Sequence, residues 1–116
     1  ATKKLAAIFS IFSLVIFSEK EIEVLQKALK VDKKAMTAYK NLGVAYKTQG
    51  KWQDAIKVWE QGAQMDAKDG SFYYNIGLEY GQHGDIPNGV KAMQRAVARG
   101  DSNAISFLTV RGIPLK

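Results

Sequence analysis

The strongest constraint on this chain is that it repeats itself at an interval of 34 residues. Shifted by that interval, Tyr39, Leu42, Gly43 and Tyr46 fall on Tyr73, Ile76, Gly77 and Tyr80. Further along, Gly50 falls on Gly84, Ala55 on Gly89, Trp59 on Met93 and Gly62 on Ala96. Within each segment the first four residues are spaced for one face of a helix. Ala55, Trp59 and Gly62 make a matching stripe on a second helix. Gly43 and Gly77 lie inside the apolar face, where a side chain would hold a neighbouring helix away. Gly50, Gly84 and Gly100 suit the left-handed turn that ends a helix. Asp85 can cap the helix that follows, and Pro87 fits its first turn.

This pattern resembles the tetratricopeptide repeat, with its large-x2-Leu-Gly-x2-Tyr run followed by small-x3-large. The resemblance covers residues 36–103 as two repeats. Two departures stand out: Ala67 replaces a common proline, and Gly89 sits where alanine is usual, weakening its helix by about 1 kcal/mol. Shifting back once more puts Leu5, Ile8, Phe9 and Phe12 on Tyr39, Leu42, Gly43 and Tyr46, and Leu25 and Ala28 on Trp59 and Gly62. Ser18-x-x-Glu21 has the form of a capping box that would start a helix. The resemblance implies one all-α domain over residues 1–116, a right-handed solenoid of about three helix-turn-helix repeats. The first repeat, about 2–35, is degenerate and hydrophobic. The others are 36–69 and 70–103, and 104–116 forms a carboxyl-terminal tail. Helices are predicted near 3–17, 19–31, 36–49, 52–65, 70–83 and 87–99.

The ends are less ordinary than the middle. Terminal repeats of a solenoid normally turn a polar face outward. Here residues 5–17 are apolar all round, so the segment demands burial on every side. The segment Ala104–Val110 is also apolar and begins where a fourth repeat would begin. Three readings compete for residues 1–17. A secretory leader would explain Lys3 and Lys4 ahead of the apolar run, but no small-x-small cleavage site precedes Ser18. A membrane anchor would explain the hydrophobicity, but the run is well short of the roughly 20 residues that span a bilayer. The favoured expectation is a helix buried against another copy of the chain. Contact between two different ends is heterologous and generates rings or open filaments. The expected self-assembly contacts are Leu5, Ile8, Phe9, Ile11, Phe12, Leu14 and Val15 at one end, and Ile105, Phe107, Leu108 and Val110 at the other.

Chemistry is sparse. The chain has no cysteine and one histidine, His83, so no transition-metal site or thiol nucleophile can be assembled. Asp66 and Asp69 lack the spacing of a calcium loop. No phosphate-binding glycine loop or nucleophile elbow appears. Neither an enzyme nor a cofactor is expected. Lys plus Arg exceed Asp plus Glu by 17 to 11. The excess lies in the first half of the chain, without the dense basic and aromatic mixture of a nucleic-acid surface, so no nucleic-acid partner is expected.

The resemblance also implies a concave groove lined by the first helix of each repeat. In this sequence the matching positions are Thr37, Lys40, Val44 and Lys47, then Tyr74, Leu78 and Gln82. Lys40, Asn41 and Asn75 resemble parts of a carboxylate clamp, although the last repeat offers no matching cations. The sequence therefore points first to a non-catalytic structural protein that self-assembles head to tail, into an extracellular or cell-envelope filament. The alternative is a soluble or membrane-anchored adaptor that binds an acidic peptide in the groove. In that case residues 5–17 would touch a membrane, or the protein would be cytoplasmic.

Overall fold

The computed structural model describes residues 2–116; the side chains of Thr2, Phe9, Phe12, Ser13, Leu14, Val15 and Phe17 lie outside the described set. Six helices follow one another: α1 (Thr2–Val31), α2 (Met36–Thr48), α3 (Trp52–Met65), α4 (Ser71–Gln82), α5 (Ile86–Ala98) and α6 (Ser102–Val110). The described residues contain no strand.

Two complete helix pairs form the body. Each pair turns at a glycine. Gly50 and Gly84 adopt φ +77° and +80°, a region that a β-branched side chain avoids. The amide after each glycine reaches back to the helix it ends: Lys51 N donates to the Tyr46 carbonyl and Asp85 N to that of Tyr80, both at 2.9 Å. That is the Schellman closure. Asp85 then caps α5 through the amide of Asn88, and Asp101 caps α6 through that of Ala104. The connections between pairs also repeat. Asp32 accepts from the amide of Lys34, and Asp66, one period on, accepts from that of Lys68.

Small residues set the packing distance inside each pair. A methyl on Gly43 would overlap the Trp59 indole, whose Nε1 donates to the Lys40 carbonyl at 3.3 Å. A Cβ on Gly77 would lie 2.9 Å from Met93. The core runs continuously from Tyr39 and Leu42 through Trp59, Phe72 and Ile76 to Met93 and Leu108. One cation fastens one pair to the next. Arg99 Nη1 donates to the carbonyls of Ala63, Asp66 and Asp69 at 2.9–3.2 Å, where α3 ends. Its guanidinium also lies 4.7 Å from the centre of the Tyr73 ring. A cation at a helix carboxyl end opposes the partial negative charge there.

The amino-terminal third differs from expectation. The helices predicted over 3–17 and 19–31 are one helix, and no turn opens at Ser18. The cause is legible one period downstream. The position equivalent to Gly50 is Ile16, which cannot take the left-handed conformation. No glycine or proline occurs before Gly43. A helix of 30 residues is about 45 Å long, whereas α2, its packing partner, is less than half that length. The longest dimension of the molecule, 50 Å, reflects this. The carboxyl-terminal tail also carries structure: α6 forms over Ser102–Val110 and is closed by Gly112 at φ +67°.

Candidate functional site

Each complete pair has a leading helix (α2, α4) and a trailing helix (α3, α5). The lower half of α1 precedes α2 as α3 precedes α4, with the same Asp-closed connection, so it is a trailing helix without a leader. α6 follows α5 as α4 follows α3, so it is a leading helix without a follower. Among the described residues, the first and last helices therefore have no hairpin partner.

The upper part of α1 forms an arm. Leu5, Ile8 and Ile11 are 55%, 61% and 64% exposed, and every described position among residues 3–16 is exposed. Over residues 3–11 the described positions run around the whole helix and all are exposed. Phe9, Phe12, Leu14 and Val15, expected in the same contact, lie outside the described side chains. Among the described residues, no helix is long and apolar enough to cross a membrane.

The carboxyl end divides the residues expected there. Val110 is 82% exposed and Ile105 is exposed at the margin. Phe107 is half-buried beneath the Arg111 guanidinium, which sits 3.6 Å from its ring centre. Leu108 is fully buried in the chain's own core and has no surface to offer a neighbour. The reason is that α6 folds down onto α5 instead of trailing as an extended tail. Sequence reasoning missed two exposed residues at the other end, Val24 and Val31 on the lower half of α1. Their spacing of seven, on one helix face, was the available signal.

The groove face is built by α2 and α4, and its cations are already engaged. Lys40 Nζ lies 3.0 Å from Asp69 and 5.4 Å from the centre of the Phe72 ring. Lys47 Nζ lies 3.3 Å from Glu79, a carboxylate almost completely buried on α4. Glu79 also meets His83 Nε2 at 3.3 Å, and the His83 ring stacks on Trp52 at 4.1 Å between centres. Burial pushes the Asp69 carboxyl up, but hydrogen bonds from the Ser71 hydroxyl and amide, with the Lys40 ammonium, outweigh it and hold the group below its ordinary value. Of the other groove residues, Thr37, Val44 and Gln82 are exposed, while Tyr74 and Leu78 are half-buried against the core. Lys47 thus ties α2 to α4 and Lys40 ties α2 to the connection before α4, and the expected cationic surface is largely neutralised.

On the opposite face the trailing helices are separated by clefts. One of about 660 Å³ lies between α1 and α3 above Leu42 and Tyr46. Its equivalent one period on, of about 590 Å³, lies between α3 and α5 above Ile76 and Tyr80. The end of the chain reaches the second cleft, where Gln94 donates to the Pro114 carbonyl and Leu115 joins the wall. Burial, together with the charges of Glu60 and Asp85, raises the Tyr80 phenol above its ordinary value. Among the described residues, no group of three or more His, Cys, Asp or Glu side chains is placed to hold a metal ion.

This architecture is an all-helical solenoid of the tetratricopeptide-like kind. Among solved structures, the chain is similar to the one described as "Crystal structure of MamA", a tetratricopeptide-like protein, with a TM-score of 0.64 and 28% sequence identity. The alignment covers 72% of this chain and 48% of that one, so the chain spans about half the length of that protein. No protein-family model matches the chain, and no curated protein does. A fold of this kind typically serves as a protein-interaction scaffold without catalysis.

Proposed function

We propose that this protein is a non-catalytic tetratricopeptide scaffold that assembles with copies of itself, head to tail, into a filament outside the cell or in its envelope. The observation that carries this reading is the pair of unmatched helices. The chain opens on a trailing helix and closes on a leading one. Placing α6 of one copy against α1 of the next would complete a composite pair, and the operation can be repeated without end.

Exposed apolar residues support the same geometry. Val24 and Val31 face outward on the lower half of α1, and Ile105 and Val110 on α6. Covering several such side chains would contribute several kcal/mol per contact at about 25 cal/mol per Å². The groove is the weaker candidate for a ligand, because Lys40 and Lys47 are already paired within the chain.

Negative-stain electron microscopy of the purified chain tests the reading, with a Val24→Lys, Val110→Lys variant as the control. The wild-type chain is expected to form elongated assemblies that the variant does not. Particles of one subunit at every concentration, in both proteins, would contradict it.

A further inference from the structure

The arm of α1 stands clear of any contact made by stacking helix pairs end to end. It continues α1 for about 24 Å past the foot of the body. Stacking through α6 and the lower half of α1 therefore leaves it uncovered.

We propose that the arm pairs antiparallel with the arm of a second copy. This rests on the self-assembly reading but uses a different surface. Three observations select the partner and the direction. The run from Leu5 to Phe17 contains no charged residue. Its described positions are exposed around the full circumference, so nothing in the same chain competes for them. Its two ends carry opposite charges. Lys3 and Lys4 stand at the tip, while at the foot Glu19 and Glu21 outnumber the Lys20 between them, and no ion pair among the described residues engages these two lysines of the tip or the two carboxylates.

An antiparallel pair centred on position 11 superposes the two apolar runs over their whole length and sets Lys3 of each arm opposite Glu19 of the other. The same register brings the Lys3 and Lys4 end of each arm to the Glu19 and Glu21 end of the other, at both ends of a two-fold contact. The helix dipoles oppose each other as well. A parallel pair in register would set lysine beside lysine. The apolar run, roughly 20 Å long, falls short of a bilayer core of about 30 Å. The two bodies then sit at opposite ends of the pair. Such pairs would join two stacks side by side.

The chain has no cysteine, so single cysteines report the register directly. In the full-length chain under mild oxidation, Ile11→Cys is expected to give an interchain disulfide dimer as the main product. Leu5→Cys is expected to stay reduced, because its two copies would lie about 20 Å apart, far beyond disulfide reach. Reversing the tip charges (Lys3→Glu, Lys4→Glu) is expected to lower the Ile11→Cys yield several-fold. Adding Glu19→Lys and Glu21→Lys is expected to restore it. Equal cross-linking of the Leu5→Cys and Ile11→Cys chains would overturn the proposal, as would cross-linking of neither.

Failure of stacking is told apart by repeating the Ile11→Cys experiment with Val110→Lys added. An unchanged dimer yield is expected there, even if no assembly larger than a dimer remains. A yield lost together with the larger assemblies would show that the arms meet only within a stack and would overturn antiparallel pairing as an independent contact.

Discussion

Ile16 and Gly50 hold the same place in the repeat, and the chain does opposite things at them. At Gly50 the backbone takes φ +77° and α2 folds back into α3. At Ile16 the helix runs straight through. A second difference reinforces the first. Gly43 lets Trp59 lie against the backbone of α2, whereas its equivalent upstream is Phe9, whose bulk would hold such a hairpin open. Loss of two glycines therefore converts a repeat into an arm. The middle of the molecule buries most of its large apolar side chains within the chain, whereas the described ones of the arm, Leu5, Ile8, Ile11 and Ile16, are exposed.

That contrast can be broken at several points. The largest effect is expected inside the complete pairs. Phe72 is fully buried, so Phe72→Ala should cost about 3–5 kcal/mol in urea unfolding. Ile11→Ala, the comparable truncation on the arm, should change the stability of the dilute monomer by less than about 0.5 kcal/mol. Next comes the stitch between pairs. Arg99→Ala leaves three carbonyls at the end of α3 without their cation and should cost about 1.5–3 kcal/mol. Arg99→Lys should recover only part of this, since an ammonium lacks the flat guanidinium that lies over the Tyr73 ring.

The turn itself gives a sharper test. Gly50→Ile imposes on the second repeat the residue found at the equivalent place in α1. Holding isoleucine at positive φ should cost on the order of 2 kcal/mol, read as a lower melting temperature. The reciprocal change, Ile16→Gly, should loosen the arm by about 0.5 kcal/mol and speed amide exchange above residue 16. It should not fold the arm back, because Phe9 remains; a marked fall in the radius of gyration by X-ray scattering would refute this.

A smaller effect depends on pH. The folded state holds the Asp69 carboxyl below its ordinary value of 3.8. Its contribution to stability is therefore present above that value and is lost as pH falls through the depressed one. Both partners are partly exposed, so the contribution should be below about 1 kcal/mol. The gap in urea midpoint between the wild-type chain and Asp69→Asn should be open at neutral pH and closed by about pH 2.

Most of the body was legible before the structure. The period and its glycines placed α2 to α5 within a residue or two of their observed limits, because each turn is a local event written in one residue. The same rule, applied strictly, would have read Ile16 as the absence of a turn; the capping-box pattern at Ser18 obscured it. The tail was harder. Nothing local in Ser102–Val110 says whether Leu108 meets the chain's own core or a neighbour's. The groove was legible as a list of positions only. The partners of Lys40 and Lys47 lie nearly a full repeat away, in the connection before α4 and on α4 itself, and residue spacing carries no record of such pairings.

The proposal at the centre of this account is that other copies of the chain pack against its first and last helices. Sedimentation velocity across a dilution series, without detergent, measures this most directly. The account predicts a weight-average mass that rises steadily with concentration, and a lower, flatter curve once Val24 and Val110 are replaced by lysine. A single boundary at the mass of one chain, unchanged across the series, would contradict it.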